Sequence, residues 1–250
     1  MLSFYFYFDP LHGLVMLPFL LLAAWASFRV KGTFARYNQE PIRSGVSGAE
    51  AARMILRGAG IEGVEIAAVP GMLSDHYDPS RRVVALSPEI LNGRTPAAVA
   101  VAAHEVGHAL QHAQGYAPMA LRAGLVPVVN LGSMAAFPLI MAGVFFSGAT
   151  RVGPDGVPHY NWLVWLGIVL FAASVAFHLV TLPVEFDASN RAIRILERSG
   201  IVAPDEMPGV RKTLFAAGFT YVAAALAAAM ELIYLLWRLG LLGGQDRNRN

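Results

Sequence analysis

The chain carries the stretch Ala102-Ala103-His104-Glu105-Val106-Gly107-His108-Ala109-Leu110, which reads H-E-x-x-H inside an apolar, alanine-rich run. Residues four apart lie one above the other on a helix, with a rise of about 6 Å. This spacing lets His104 and His108 point towards one Zn²⁺ ion from the same face. Glu105 lies roughly 100° round the helix, so it can reach a water on the metal without ligating the ion. The stretch therefore predicts a metal-binding helix over 96–115.

The residue types of this motif suit the activation of water. Zinc lowers the pKa of a bound water to about 7, and a neighbouring carboxylate can accept the proton and later donate it to a leaving amine. His104, Glu105 and His108 would be costly in so apolar a run without a partner such as a metal. The motif thus favours hydrolysis with Glu105 as the general base.

The composition is that of a membrane protein. Hydrophobic residues make up 56% of the chain and charged residues only 14%, whereas charged residues usually make up about 25%. Because the chain has no cysteine, a disulfide framework and a thiolate metal site are both excluded. The net charge of +2 is too small to indicate nucleic-acid binding. Any metal must therefore be held by histidine and carboxylate groups.

Four apolar stretches are long enough to cross a bilayer. The first stretch, 11–29, is followed rather than preceded by basic residues. A signal peptide has the opposite arrangement, so this stretch is interpreted as a span that the mature protein keeps. The other predicted spans are 124–147, 162–182 and 218–240.

Two polar segments, 30–122 and 183–217, separate these spans. Fifteen of the nineteen Lys and Arg residues lie within 29–122 and 191–212. Because basic residues are enriched on the cytoplasmic side of membranes, both segments are predicted to face the cytoplasm and both termini to lie outside. The basic residues of the C-terminal tail argue mildly against this orientation. The pattern predicts a multi-pass protein of the cell membrane.

The segment 30–122 has the signals of a small α+β lobe. Ser47 and Glu50 form a capping-box pattern at the start of a helix that should end near Gly58 or Gly60. The runs 64–69 and 82–86 are predicted strands, separated by a polar turn over 73–79 and forming a hairpin or small sheet. Either strand could bind an extended peptide along its edge.

The motif supplies only two ligands, whereas catalytic zinc usually has three protein ligands. Gln111 stands where the H-E-x-x-H-x-x-G-x-x-H pattern requires glycine, so that class is excluded. His112 lies about 12 Å along the helix from His104, too far to share one metal. An acidic residue at the end of the third span remains, and Glu185 and Asp187 are both candidates.

Four stretches resemble a known family. They are D-H-Y-D-P (75–79), A-A-H-E-V-G-H-A-L-Q (102–111), G-Y-A-P (115–118) and L-P-V-E-F-D-A-S (182–189). All four are similar to the YugP-like family of neutral zinc metallopeptidases, membrane proteins distantly similar to the gluzincins of the HtpX and CAAX-prenyl endopeptidase group. With the order of elements, the resemblance covers nearly the whole chain.

The resemblance implies a role for each residue of the motif. His104 and His108 would be ligands of one Zn²⁺ per chain, Glu185 the third ligand and Glu105 the general base. The larger group carries E-F-x-A-D, and this chain has Ser189 in place of the aspartate.

In the larger group, that aspartate would orient a zinc-bound histidine. Ser189 could do so more weakly, and Asp187 and Asn190 are rivals for this role. The oxyanion formed during hydrolysis also needs a stabilising group. His76 is the preferred candidate, and the full set is His76, Tyr77, Arg191 and Tyr221.

The sequence therefore predicts an α-helical membrane protein with about four transmembrane helices and a small α+β zincin-like cytoplasmic lobe. Its predicted function is zinc-dependent hydrolysis of a peptide or membrane-protein substrate. One alternative is a zinc-binding scaffold without turnover, although the intact Glu105 argues against it. Another is a zinc transporter or sensor, which would need ligands within several spans. Two histidines and a carboxylate also suit iron or manganese.

Overall fold

Helices make up most of the chain in the computed structural model, which describes residues 9–72, 74–146, 151–152 and 158–242. Parts of the sequence predictions fall outside these residues, on Leu73, Ser147 and most of both termini. The helices are α1 (Pro10–Tyr37), α2 (Gly48–Gly58), α3 (Pro88–Asn92), α4 (Pro96–Ala113), α5 (Ala117–Phe146), α6 (Trp162–Ser199) and α7 (Met207–Arg238). The strands are β1 (Glu65–Ala68), β2 (His76–Asp78), β3 (Val83–Leu86), β4 (Arg151–Val152) and β5 (Pro158–His159).

Four helices, α1, α5, α6 and α7, are long and apolar enough to cross a membrane. They contain 28, 30, 38 and 32 residues respectively, whereas about 20 apolar residues suffice to cross the hydrocarbon core. The prediction of four such helices is confirmed. α6 continues well past the predicted end of its span, so the polar segment after Leu182 extends the same helix.

The chain divides into two compact units, and α1, α5, α6 and α7 each contribute residues to both. The helical unit consists of the described residues within 1–23, 121–180 and 223–250. Its core is built from Ile140, Val164, Ile168, Leu235 and Leu239. The mixed unit consists of the described residues within 24–120 and 181–222.

Helix α4 lies at the centre of the mixed unit's core. Val99 and Val106 are completely buried, as expected for a helix that is apolar on all sides. Thr95 caps this helix by accepting a hydrogen bond from the Ala98 N–H at 3.2 Å. α2, which packs against α4, begins at the predicted capping box. Both of its reciprocal hydrogen bonds, between Ser47 and Glu50, are present.

The three-stranded sheet has the order β1-β3-β2. The two predicted strands are present, and of the two predicted arrangements the small sheet is confirmed, whereas the hairpin is wrong because β1 and β3 are parallel. The predicted polar turn contains β2, which pairs antiparallel with β3. β3 is the central strand, and all four of its residues are buried. Since β3 is paired on both sides, the strand predicted at 82–86 offers no free edge for a peptide.

Candidate metal centre

The candidate centre is built on α4 where α6 crosses it closely. A Cβ added to Gly107 would lie 2.6 Å from the carbonyl oxygen of Ala188, so only glycine allows this approach. Glu105 and His108 on α4 are buried. The close crossing brings Glu185, which is 2% exposed, from α6 to the two histidines.

His104, His108 and Glu185 form a compact cluster of possible ligands. Oε2 of Glu185 lies 3.2 Å from Nε2 of His104 and 3.6 Å from Nε2 of His108. The ligand atoms of all three residues lie within 4.8 Å of one another. Asp187, the alternative third ligand, is absent from this cluster, which is the only such group in the described part of the chain.

The donor set and its spacing fit zinc. Two imidazole nitrogens and a carboxylate oxygen are common zinc ligands, with metal–ligand distances of about 2.0–2.2 Å. In a tetrahedral site, these distances place neighbouring donors about 3.3–3.6 Å apart. The observed 3.2 and 3.6 Å separations are close to this range. Three protein donors also leave a fourth position open, as catalytic sites require.

Ser189 orients the ring of His104. Its Oγ lies 3.0 Å from Nδ1 of His104, so Nδ1–H can donate to the hydroxyl while the lone pair of Nε2 faces Glu185. Histidines that bind metals usually donate their second N–H in this way. This contact is the one that an orienting role for Ser189 would require.

His108 is oriented through a longer chain of hydrogen bonds. Its Nδ1 lies 3.0 Å from Oε1 of Gln111. The Gln111 amide nitrogen donates to the Val184 carbonyl at 2.7 Å and to Oδ2 of Asp187 at 2.9 Å. These two acceptors fix the direction of the amide, because its oxygen must then face His108. Arg191 donates to the same oxygen of Asp187 at 2.5 Å.

Gln111 is the functional residue that sequence reasoning missed. The sequence presents Gln111 as a departure from a longer histidine motif and as the end of a stretch that resembles a known family. The available signal was its position, three residues after His108 on a helix predicted to be buried. A fully buried glutamine requires partners for both its donor and its acceptor.

The buried histidine lies in a field of negative charge. Burial alone would lower the pKa of His108, but its hydrogen bond to Glu185 and the charges of Glu105 and Glu185 outweigh this effect. The pKa of His108 is therefore raised above its ordinary value. Two carboxylates beside a buried imidazole form an environment that favours a cation.

A cavity of about 370 Å³ opens onto the centre. His104 and Glu105 line it from α4, and Tyr221 lines it from α7. Asp75, the residue before β2, and Lys31 of α1 add a carboxylate and an ammonium group to its lining. Glu105 thus faces the same space as one of the candidate ligands.

The four candidate oxyanion groups occupy different places. His76 is exposed, and its Nδ1 lies 2.8 Å from the Ser74 carbonyl oxygen. The Tyr77 hydroxyl is hydrogen-bonded to Nδ1 of His112 at 2.9 Å. Arg191 is paired with Asp187, as described above. Of the four, Tyr221 shares the cavity with His104 and Glu105.

Two comparisons with known proteins gave a match. The model of a family described as "Putative neutral zinc metallopeptidase" matches residues 13–240. The protein named "Putative membrane protease YugP" from Bacillus subtilis (strain 168) is 45% identical to this chain over 227 residues. The matched part covers 91% of this chain and 95% of that protein. No solved structure gave a significant match.

Proposed function

The chain belongs to the family described as "Putative neutral zinc metallopeptidase", and we propose that it is a membrane-embedded zinc endopeptidase. The observation that carries this proposal is the cluster of His104, His108 and Glu185 beside Glu105. Helix α4 contributes three of these residues, and α6 contributes the fourth at the Gly107 crossing.

In the proposed mechanism, His104, His108 and Glu185 hold one zinc ion. When bound, zinc supplies a Lewis acid that polarises a carbonyl and makes water acidic enough to lose a proton near neutral pH. Glu105 accepts a proton from the attacking water and later donates it to the leaving amine. Its location on the cavity wall supports this role.

Ser189 and Asp187 are proposed as positioning residues. Ser189 acts directly on the ring of His104, and Asp187 acts on His108 through Gln111. Both contacts hold the rings with Nε2 towards Glu185. Such partners typically change metal affinity by about 10- to 100-fold.

For the oxyanion we propose Tyr221 rather than His76. The Tyr221 side chain lines the cavity that contains His104 and Glu105, whereas the described hydrogen bond of His76 is to Ser74. A phenol can donate a hydrogen bond to the carbonyl oxygen as negative charge develops on it. Tyr221→Phe should therefore lower kcat while metal binding is retained.

The proposed substrate is a peptide or a segment of a membrane protein. An extended segment could pair with the outer edge of β2, because β2 forms one side of the sheet and Asp75, immediately before it, lines the cavity. Main-chain pairing of this kind is tolerant of sequence. It suits an enzyme that cuts within a chain.

The proposed location is the cell membrane, with spans at 11–29, 124–147, 162–182 and 218–240 and the mixed unit towards the cytoplasm. The bias of Lys and Arg described above supports this orientation. The segments 30–122 and 183–217 would then provide the metallopeptidase lobe and the helix with the third ligand.

The test combines metal content with cleavage by the detergent-purified chain. We expect about one zinc per chain, lost in Glu185→Ala and retained, with weaker affinity, in Asp187→Ala. Glu105→Gln should keep the metal but reduce cleavage of a casein-type substrate by a factor of 100 or more, since general base catalysis contributes about 10²–10⁴-fold.

Two outcomes would contradict the proposal. If Glu185→Ala binds as much zinc as the wild type, the third ligand is another residue. Zinc binding without cleavage in the wild type and in Glu105→Gln alike would favour the scaffold alternative.

A further inference from the structure

A second and larger cavity, of about 680 Å³, lies in the mixed unit between α1, α6 and α7. We call it the basic cavity because four cationic side chains line it and none of its described lining residues is acidic. The cations are Arg29 and Arg36 from α1 and Arg211 and Lys212 from α7.

Among the described residues, most of this positive charge has no carboxylate partner. Arg211 is paired with Glu197. Arg29, Arg36 and Lys212 form no ion pair within the described residues. Instead, the Arg29 guanidinium lies 5.2 Å from the Trp25 ring centroid, and Arg36 and Lys212 lie against Tyr37. Three neighbouring cations without a carboxylate repel one another, which favours an anionic ligand.

The rest of the cavity wall is apolar. Phe186 and Phe215 line it and remain 37% and 60% exposed. Large aromatic surfaces left open to solvent are costly unless something apolar covers them. The cavity therefore presents cationic and aromatic surfaces to the same occupant.

The boundary between basic and apolar residues falls at this cavity on two helices. In α1, the apolar run ends at Phe28 and the basic residues begin with Arg29. In α7, the order is reversed, because Arg211 and Lys212 precede the apolar run that begins with Leu214. Both helices are candidate membrane spans. A lipid has its own boundary between headgroup and acyl chain at the same depth.

We propose that the basic cavity binds one anionic glycerophospholipid from the surrounding bilayer. Arg29, Arg36 and Lys212 contact its phosphate, and an acyl chain covers Phe186 and Phe215. Arginine and lysine are the usual phosphate-binding side chains, and basic pockets between membrane helices bind lipid headgroups of this kind.

The cationic surface and the aromatic surface of the cavity together identify this occupant. A free phosphate would leave the aromatic surface uncovered, and a zwitterionic lipid would leave the cations without a net countercharge. The inference does not depend on peptidase activity. Ser189 connects the basic cavity with the metal centre, because it lines the cavity and is hydrogen-bonded to His104.

The test is lipid binding by the delipidated, detergent-purified chain. Phosphatidylglycerol and phosphatidylcholine with identical acyl chains are added separately, and bound lipid is counted by native mass spectrometry. We expect one saturable phosphatidylglycerol per chain and much weaker binding of phosphatidylcholine. Each cation near an anionic lipid is worth roughly fivefold in affinity, so Arg29→Gln/Arg36→Gln should weaken binding about 30-fold.

The matched control is Arg53→Gln/Arg57→Gln, which removes the same charge from exposed positions on α2. It should bind phosphatidylglycerol like the wild type. Gly32→Phe is a second variant that keeps every charge. Gly32 lines the cavity and has no atom within 4 Å of an added Cβ, so the new ring should fill the cavity and block the lipid without a clash.

Several results would overturn the proposal. These are equal binding of phosphatidylcholine, equal losses in the two double variants, or unimpaired binding by Gly32→Phe. Displacement of the lipid by an equal concentration of inorganic phosphate would identify a simple anion site. Displacement by an acidic peptide would identify a substrate groove instead.

Discussion

Two side chains outside the ligand cluster hold the candidate ligand rings in place. Ser189 is hydrogen-bonded to His104, and Gln111 is hydrogen-bonded to His108, each at 3.0 Å. Both partners are neutral, whereas a carboxylate in the same place would make the imidazole more basic. Both rings therefore contact neutral groups directly, and Asp187 is linked to His108 only through Gln111.

Ser189 provides the residue-scale prediction. Ser189→Ala removes the acceptor for Nδ1–H of His104, so metal affinity should fall about 10-fold or more. Ser189→Asp supplies a stronger acceptor and recreates the E-F-x-A-D pattern, so it should bind metal at least as tightly as the wild type. A zinc-chelator competition titration measures both. Equal affinity in the alanine variant would show that the hydrogen bond does not orient the ligand.

The sequence allowed some of these residues to be proposed and not others. The H-E-x-x-H spacing itself places His104 and His108 on one face of a helix, because helix geometry is local. Glu185 lies far along the chain, and resemblance to a family was needed to prefer it over Asp187. Gln111 escaped notice because its role depends on two groups of α6 that only tertiary packing brings to it.

At the scale of elements, the site depends on how closely α4 and α6 approach. Gly107 lies inside the H-E-x-x-H motif, yet it contributes no chemistry. Because Gly107 has no side chain, the backbone at Ala188 can pack directly against α4. Glu185 lies one helical turn before Ala188. The crossing and the third ligand are thus consequences of the same glycine.

Gly107→Ala tests this dependence. Alanine favours a helix by up to about 1 kcal/mol over glycine, but here the new methyl group meets backbone atoms. Overpacking of this kind costs about 1–3 kcal/mol and should move Glu185 away from the histidines. We therefore expect a lower Tm together with reduced zinc content.

The control is the same substitution at Gly58, the last residue of α2, where an added Cβ meets nothing within 4 Å. Gly58→Ala should leave the Tm and the zinc content unchanged or slightly improved. If Gly107→Ala behaves like Gly58→Ala, the close crossing is not what positions Glu185.

The capping box of α2 gives a prediction about pH. The Ser47 N–H donates to Glu50, and this hydrogen bond holds the pKa of Glu50 below its ordinary value of 4.5. A lowered folded-state pKa stabilises the protein fully above 4.5 and less as the pH falls through the lower value. The wild type should therefore have a higher Tm than Glu50→Gln at pH 7, and this difference in Tm should be smaller at pH 4.

The sheet marks where local patterns cease to predict structure. β1 and β3 were recognisable as short apolar runs, but their parallel pairing requires a connection across the sheet. β2 has only three residues and lies in a segment rich in turn-forming side chains. Its pairing is set by contact with the buried β3 and not by its own alternation. The polar segment that contains β2 is therefore an edge strand beside α4.

At the scale of the whole molecule, the charge distribution and the helix order carry the proposed orientation. In the proposed topology the four helices cross the bilayer in turn, so His159, between α5 and α6, should lie on the other side of the membrane from the segments 30–122 and 183–217. The mixed unit contains most of the Lys and Arg residues, which supports the proposal that it faces the cytoplasm. The bias of Lys and Arg can be read from the sequence alone, whereas the bounds of the helices come from the structure.

The absence of cysteine makes this orientation directly testable. Single substitutions Arg57→Cys on α2 and His159→Cys in the connection introduce one thiol each at exposed positions. A membrane-impermeant maleimide applied to sealed cells should label His159→Cys, and should label Arg57→Cys only after permeabilisation. The cysteine-free parent measures the background. The reverse pattern would place the metal centre outside the cell, where a protease meets extracytoplasmic rather than cytoplasmic chains, because soluble substrates cannot cross the bilayer to reach it.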